Sequence, residues 1–227
     1  MTATIIVSYD GTENDTDALA LGRLLAGAGG SLALAYVRHS VEAESGRERL
    51  AQHEAQELLE NGARWLGEPD VPRHVVLSAS TPEGLRELAE REGADIIVFG
   101  SEYRTTPGHV APGTSAQRLL EGGPIAVALA PAGFREHGTV GVEKVAAVGE
   151  EGDPATQETA ESIAVALGAT VVARANGDTG LVVVGSKQGT AAGRVTLSAA
   201  AQYLIEMLRC PVLVLPHGVA LRFGATG

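Results

Sequence analysis

"ADIIVFGSEYRTTPGHVAPGTSAQRLLE", Ala94–Glu121, is the stretch on which the fold turns. Its opening, Ile96–Phe99, is a short apolar run that ends on Gly100, as a strand buried on both faces does. Its end, "TSAQRLLE", carries Ala116, Leu119 and Leu120 at helical spacing. A strand, a glycine-bearing loop and a helix start are the parts from which backbone N–H groups build an anion cradle. The loop between them also holds Tyr103, Pro107 and Pro112. Each proline lacks an N–H donor, and a tyrosine forbids the close backbone approach that a glycine allows.

The pattern repeats on either side. "TIIVSYD", "SLALAYV", "RHVVLSA" and "PIAVALA" read as further strands. Between them lie amphipathic segments with helix-end signals. "NDTDALALGRLLAGAGG" opens on Asn and Asp and closes on Gly, Arg47–Trp65 is charged and periodic, and Thr81–Glu92 follows Ser80 with Pro82 and Glu83. Strands alternating with helices predict a parallel sheet covered on both faces, doubly wound in the order 3-2-1-4-5. The winding then reverses between the first and fourth strands, so Asp10 and Gly100 border one crevice.

From Val142 the pattern restarts. "KVAAVGEEGDPATQETAESIAVALGA" parallels "TIIVSYDGTENDTDALALGRLLAGAG", placing Glu151 on Asp10 at an offset of 141. "LVVVGS" parallels "IIVFGS" and "AAQYLIE" parallels "SAQRLLE", both at an offset of 85. The difference predicts a duplication whose second copy lacks 56 residues, the counterpart of the second helix, third strand and third helix. The expected division is a full domain over 1–132, a linker over 133–141, a shortened domain over 142–218 and a tail over 219–227. Only Asn176–Gly180 separates "ATVVARA" from the next strand, fewer than the dozen residues of an ordinary parallel crossover. Thr170–Arg174 is therefore expected either as an antiparallel edge strand or outside the sheet.

Composition narrows the function. A formal charge of −11 argues against nucleic acid and anionic membrane surfaces as partners. There is neither a signal-like N-terminus nor a membrane-length apolar run, which gives a cytoplasmic expectation. The single cysteine, Cys210, reads as a small buried hydrophobe. The six histidines lack metal-ligand spacing, and no nucleophile elbow or Walker sequence occurs, so hydrolase activity is not expected.

"VSYDGT", "TPEGLRELAEREGADIIVFGS" and "GTSAQRLL…PIAVALAP" together resemble the universal stress protein family, and "LVVVGSKQG", "SAAAQYLIE" and "CPVLVLP" echo it in the second half. The resemblance implies two adenine nucleotide alpha hydrolase-like domains, the second truncated, in a regulatory stress-response protein. It also implies ATP or AMP in the N-terminal half. The family's Gly-x2-Gly-x9-Gly-Ser/Thr pattern falls on Gly100, Tyr103, Gly113 and Thr114, with Tyr103 departing from it. By the same resemblance Asp10 meets the nucleoside or its metal, the Val37 backbone meets the adenine edge, and Gly113 and Thr114 meet phosphate. Ser101 and Ser115 complete the candidate contacts.

Each residue also has a plain structural role open to it. Asp10 can cap the following helix, Gly100 can serve a tight strand exit, and Gly113–Thr114 can be only a helix start. Tyr103 is expected to pack over the crevice as a loop anchor, which with the prolines would plug it. In the second copy the matching residues are Gly185, Gln188, Ser198, Ala199 and Glu151, and no nucleotide is expected there. The alternative function is a structural or partner-interaction module that binds no nucleotide, its protein partner unspecified. The family dimerises through its last strand. That predicts an intramolecular pseudo-dimer in which "PIAVALAP" pairs antiparallel with "PVLVLP".

Overall fold

The structure is a computed structural model and describes residues 2–39, 45–136, 141–149 and 153–224. The first half runs β1 (Thr4–Ser8), α1 (Glu13–Gly27), β2 (Ser31–His39), α2 (Ser45–Leu66), β3 (Arg73–Ser78), α3 (Thr81–Glu92), β4 (Ile96–Phe99), α4 (Thr114–Leu120) and β5 (Ala126–Leu129). The second runs β6 (Lys144–Val148), α5 (Ala155–Leu167), β7 (Thr170–Val172), β8 (Leu181–Val184), α6 (Ala199–Met207) and β9 (Val212–Val214). Among the described residues all nine strands form one sheet, ordered β3-β2-β1-β4-β5-β9-β8-β6-β7.

Every pairing between these strands is parallel except one. β5 and β9 run antiparallel, with Val127 opposite Val214 and Leu129 opposite Val212. This is the strand pairing the sequence predicts. Both strands are wholly buried at the middle of the sheet. Two apolar cores lie against it, one per face, and each contains residues of both halves. One joins Ile5, Leu21 and Leu59 to Val145 and Ile163. The other joins Leu85, Leu88 and Leu119 to Val182 and Ile205. Thus α1, α2 and α5 cover one face, and α3, α4 and α6 the other.

The expectation for Thr170–Arg174 is overturned. β7 pairs parallel with β6, Lys144 opposite Thr170 and Ala146 opposite Val172, in the place β2 holds beside β1. The reason is length. β7 stops at Val172, so eight residues, 173–180, make the return. A three-residue strand is only about 10 Å long at about 3.3 Å per residue. Eight extended residues span that with room to spare, whereas the dozen-residue minimum belongs to crossovers that carry a helix. Val172 and Ala175 pack on the core face opposite α5, so the return segment passes where a third helix would otherwise lie. A turn then reverses it, with the Asn176 N–H donating to Thr179 Oγ1 at 2.9 Å and the Gly180 N–H donating to the Lys144 carbonyl at 2.9 Å.

The segments set down as linker and tail are structural parts as well. Phe134–Glu136 forms a single 3-10 turn beside α1. It is held by Asp17, fully buried, which accepts N–H bonds from Gly133 and Arg135 at 2.8 Å each and faces the Arg135 guanidinium at 3.3 Å. The tail does the matching work on α5, where Leu221 N–H donates to Thr159 Oγ1 and Phe223 N–H to Ser162 Oγ. It then crosses to the first half, where Ala3 N–H donates to the Arg222 carbonyl and Gly224 N–H to the Ala28 carbonyl.

Candidate functional site

The neighbours β1 and β4 send their chains to opposite faces, α1 to one and α4 to the other, so a crevice opens beyond their C-terminal ends. Asp10 stands exposed at its β1 side. β2 continues past it. In a parallel pair alternate residues turn their backbone groups to opposite neighbours. Leu34 N–H bonds toward β3, at the Pro72 carbonyl, and the Ala35 carbonyl accepts from Tyr9 N–H on the β1 side. Val37 therefore also points its N–H and C=O to the β1 side, beyond Ser8, where β1 has ended. Its side chain is buried under α3, near Gly84. This is the geometry required of a backbone that meets a base edge.

The β4 side is closed more tightly than the sequence suggests. A Cβ on Gly100 would sit 2.0 Å from the Asn14 carbonyl oxygen, so only glycine lets α1 pack so close. The Asn14 side-chain amide then donates to the carbonyls of Ser101 and Glu102, at 2.9 Å each. Together these clasp the start of α1 to the loop after β4. The loop folds back as a short antiparallel pair, Ser101 opposite Pro112, with Glu102 N–H donating to the Ala111 carbonyl at 2.8 Å.

Ser101 is a latch inside this loop. Buried, it donates to the Ala130 carbonyl at 2.7 Å and accepts from Ala111 N–H at 3.2 Å. Its hydroxyl has backbone partners on both sides and faces no open cleft. Ser186 makes the same two bonds in the second half, to Leu215 at 2.7 Å and from Thr196 at 3.1 Å. Tyr103 does not pack over the crevice as expected. It is 80% exposed and lines a wide groove with Asn14, Gly108 and Arg135 instead. Gly108 has a φ of +82° and its N–H is used by the Ala132 carbonyl, so the loop tip is anchored to the strand exit and the tyrosine is left in solvent.

Gly113 is the N-cap of α4 without a side-chain capping bond, so the N–H groups at Thr114 and Ser115 have no side-chain acceptor. Thr114 faces a separate groove with Ser80, Glu83 and Arg118. The fold thus brings Asp10, the Val37 backbone and Gly100 to one crevice. It turns Tyr103 and Thr114 to other grooves.

Electrostatics add a further barrier. Asp15, at the third position of α1, forms a capping box with Thr12: the Thr12 hydroxyl lies 2.8 Å from its Oδ2, and the N–H groups of Thr12 and Asp10 also donate to it. Burial first, then the hydrogen bond and charge of Asp10, push the Asp15 carboxyl up to about 7. Burial and the same two carboxylates also raise the Tyr9 phenol. A paired-acid crevice mouth suits a sugar hydroxyl and repels a phosphate. Toward ATP or AMP these groups divide: the Val37 backbone and Asp10 offer hydrogen-bonding groups of the kind a base and a ribose take, and the two carboxylates oppose a phosphate. Asn14 and Asp15 were legible only as helix-opening residues, although the Thr12-x-x-Asp15 spacing is itself a capping signal.

The second half repeats the frame with different contents. A Cβ on Gly185 would meet Thr156 Oγ1 at 2.4 Å, and that hydroxyl is buried without a partner among the described residues. Ser198 is spent capping α6 through Ala201 N–H, Gln188 is exposed, and Glu151 lies outside the described residues. Cys210 is buried and its thiol pushed up to about 11 by that burial, the state of an inert hydrophobe. Among the described residues no three His, Cys, Asp or Glu side chains gather as metal ligands, and no helix is long and apolar enough to cross a membrane.

A doubly wound, mostly parallel sheet with a switch-point crevice and a glycine-started loop after β4 defines an α/β protein of the adenine nucleotide alpha hydrolase-like fold. The model of the universal stress protein family matches residues 1–131, more than half of the chain, and the chain belongs to that family. Solved structures similar to it include a universal stress protein from Archaeoglobus fulgidus DSM 4304, at 14% identity and a TM-score of 0.58, covering 94% of this chain and 98% of that one. A putative universal stress protein from Pseudomonas aeruginosa UCBPP-PA14 is 17% identical with a TM-score of 0.61, covering 96% and 94%. A functionally unknown protein from Pseudomonas aeruginosa PAO1 is 17% identical with a TM-score of 0.62, covering 96% and 93%. No curated protein matches the chain.

Proposed function

We propose that this is a regulatory protein of the stress response, cytoplasmic and non-catalytic, in which only the N-terminal half holds an adenine nucleotide, and holds it weakly. The observation that carries the reading is the Asn14 clasp on Ser101 and Glu102 at the switch-point crevice. Val37 and Asp10 remain positioned for base and ribose, while Asp15 and the clasp oppose the phosphates. Affinity should fall from adenosine to AMP to ATP. The two halves are read as a tandem duplication folded as an intramolecular pseudo-dimer about the β5–β9 pair. The matched latches at Ser101 and Ser186 support this.

Mass spectrometry of the purified protein for retained nucleotide, with calorimetric titration of adenosine, AMP and ATP, tests the reading. Tight ATP binding would overturn the divided fit. The second reading, an interaction module without nucleotide, is favoured by the exposed Tyr203 and Met207 on α6. It takes over if none of the three ligands binds.

A further inference from the structure

The antiparallel β5–β9 pair places α4 and α6 side by side on one face, and a cavity of about 260 Å³ lies between them. Its lining falls into four pairs, each separated by 85 residues: Pro112 with Leu197, Gln117 with Gln202, Leu120 with Ile205, and Glu121 with Glu206. The cavity thus straddles the approximate two-fold axis and presents each chemical group twice. Leu120 and Ile205 are buried, and with Pro112 and Leu197 they make an apolar lining. Both glutamates are exposed, and neither has an ion-pair partner among the described residues. The Gln117 amide nitrogen is spent on the Pro112 carbonyl at 3.0 Å, leaving its oxygen as an acceptor.

The lining therefore offers hydrogen-bond acceptors, carries two negative charges and holds no cation. A metal ion would want oxygen around it, not four apolar side chains. An anion would meet two carboxylates within a chain already at −11. What fits is a body of CH₂ groups with a positive charge at each end. We propose that the cavity between α4 and α6 binds a small organic dication with an apolar backbone, of which a linear diamine is the simplest member. The apolar pairs cover the methylenes, and Glu121 and Glu206 each meet one ammonium. The site is independent of the switch-point crevice.

Full-length protein titrated with 1,4-diaminobutane, 1,6-diaminohexane, 1-aminohexane and hexanoate, followed by backbone amide NMR, tests this. Saturable one-site binding of a diamine is expected, with shifts centred on residues 112–121 and 197–206, weaker binding of the monoamine and none of hexanoate. Exposed ion pairs are modest, so Glu121→Gln and Glu206→Gln should each weaken the diamine about two- to fivefold, and the double variant about tenfold. Gln202→Arg, which adds a cation at the rim, should abolish binding while leaving the spectrum of the fold intact. The proposal is overturned by any of three results. These are no saturable diamine binding, a monoamine that binds as well as the diamine, or diamine affinity unchanged in the double variant and in Gln202→Arg.

Discussion

Asn14, not Tyr103, closes the β4 side of the crevice. Tyr103 occupies a family glycine position, yet it projects into solvent, so Tyr103→Gly should leave ATP affinity nearly unchanged. Asn14→Ala removes two hydrogen bonds across the crevice mouth and should strengthen ATP binding. Its cost in stability is about 1–2 kcal/mol, the usual net worth of two such bonds. Calorimetry on both variants checks the pair. A gain from Tyr103→Gly without one from Asn14→Ala would return the blocking role to the ring.

Asp15 makes the protein's stability depend on pH in a defined direction. Its folded value, about 7, lies above the ordinary carboxylate value, so between about 4 and 7 the folded state binds more protons than the unfolded. Its stabilising share is fully present below the unfolded value and is lost as pH rises through about 7. Asp15→Asn keeps an acceptor oxygen for Thr12 and removes the charge. The urea midpoint of the parent should fall relative to Asp15→Asn between pH 5 and pH 8. Equal midpoint changes would show that the Asp15 carboxyl is not raised in the folded protein.

At the scale of elements, the contacts of α1 and α5 with the strand exits beside them differ in kind. A Cβ on Gly100 would meet backbone, 2.0 Å from the Asn14 carbonyl oxygen, and a helix must move to admit a methyl group. A Cβ on Gly185 would meet the Thr156 hydroxyl at 2.4 Å, a side chain that can rotate. Gly100→Ala should cost about 3 kcal/mol and Gly185→Ala about 1 kcal/mol, within the range for overpacked sites. Chemical denaturation of both variants measures the gap, and equal costs would refute the distinction. Element existence was largely readable from periodicity and end signals, as α1 and α3 illustrate. The parallel placement of β7 was not, because the connection rule assumes a crossover helix and strand length is set by neighbours rather than by β-propensity. A three-residue strand shortens the return path enough for eight residues to suffice.

For the whole molecule, the tail decides cooperativity. Leu221 is buried in the core that joins α1 to α5, and Ala3 and Ala28 bond to the tail backbone. Leu221→Ala should cost about 2–3 kcal/mol through lost burial and the cavity left behind. Trp65, the single tryptophan, reports on the first half alone, whereas far-ultraviolet circular dichroism reports on both. The two signals should move together to lower denaturant in the variant. Separate transitions would mean that the halves unfold independently.

Sequence by itself determined the alternation of strands and helices, the internal offsets of 141 and 85 and, through the family's dimerisation through its last strand, the pairing of the two proline-bounded strands. It also placed Asp10, Val37 and Gly100 together. The alternation and the offsets follow from local periodicity and from a repeat, information carried along the chain; the strand pairing and the place of Val37 follow from the family resemblance. Tertiary structure alone decided that β7 pairs parallel with β6, that Ser101 is a latch, that Tyr103 faces water and that the tail belongs to the core. Each of those depends on which distant backbone group a residue meets: Ala130 for Ser101, Asn14 for Gly100, Ala28 for Gly224. Partners so far apart in sequence leave no local pattern. Only the packed sheet brings them within bonding distance.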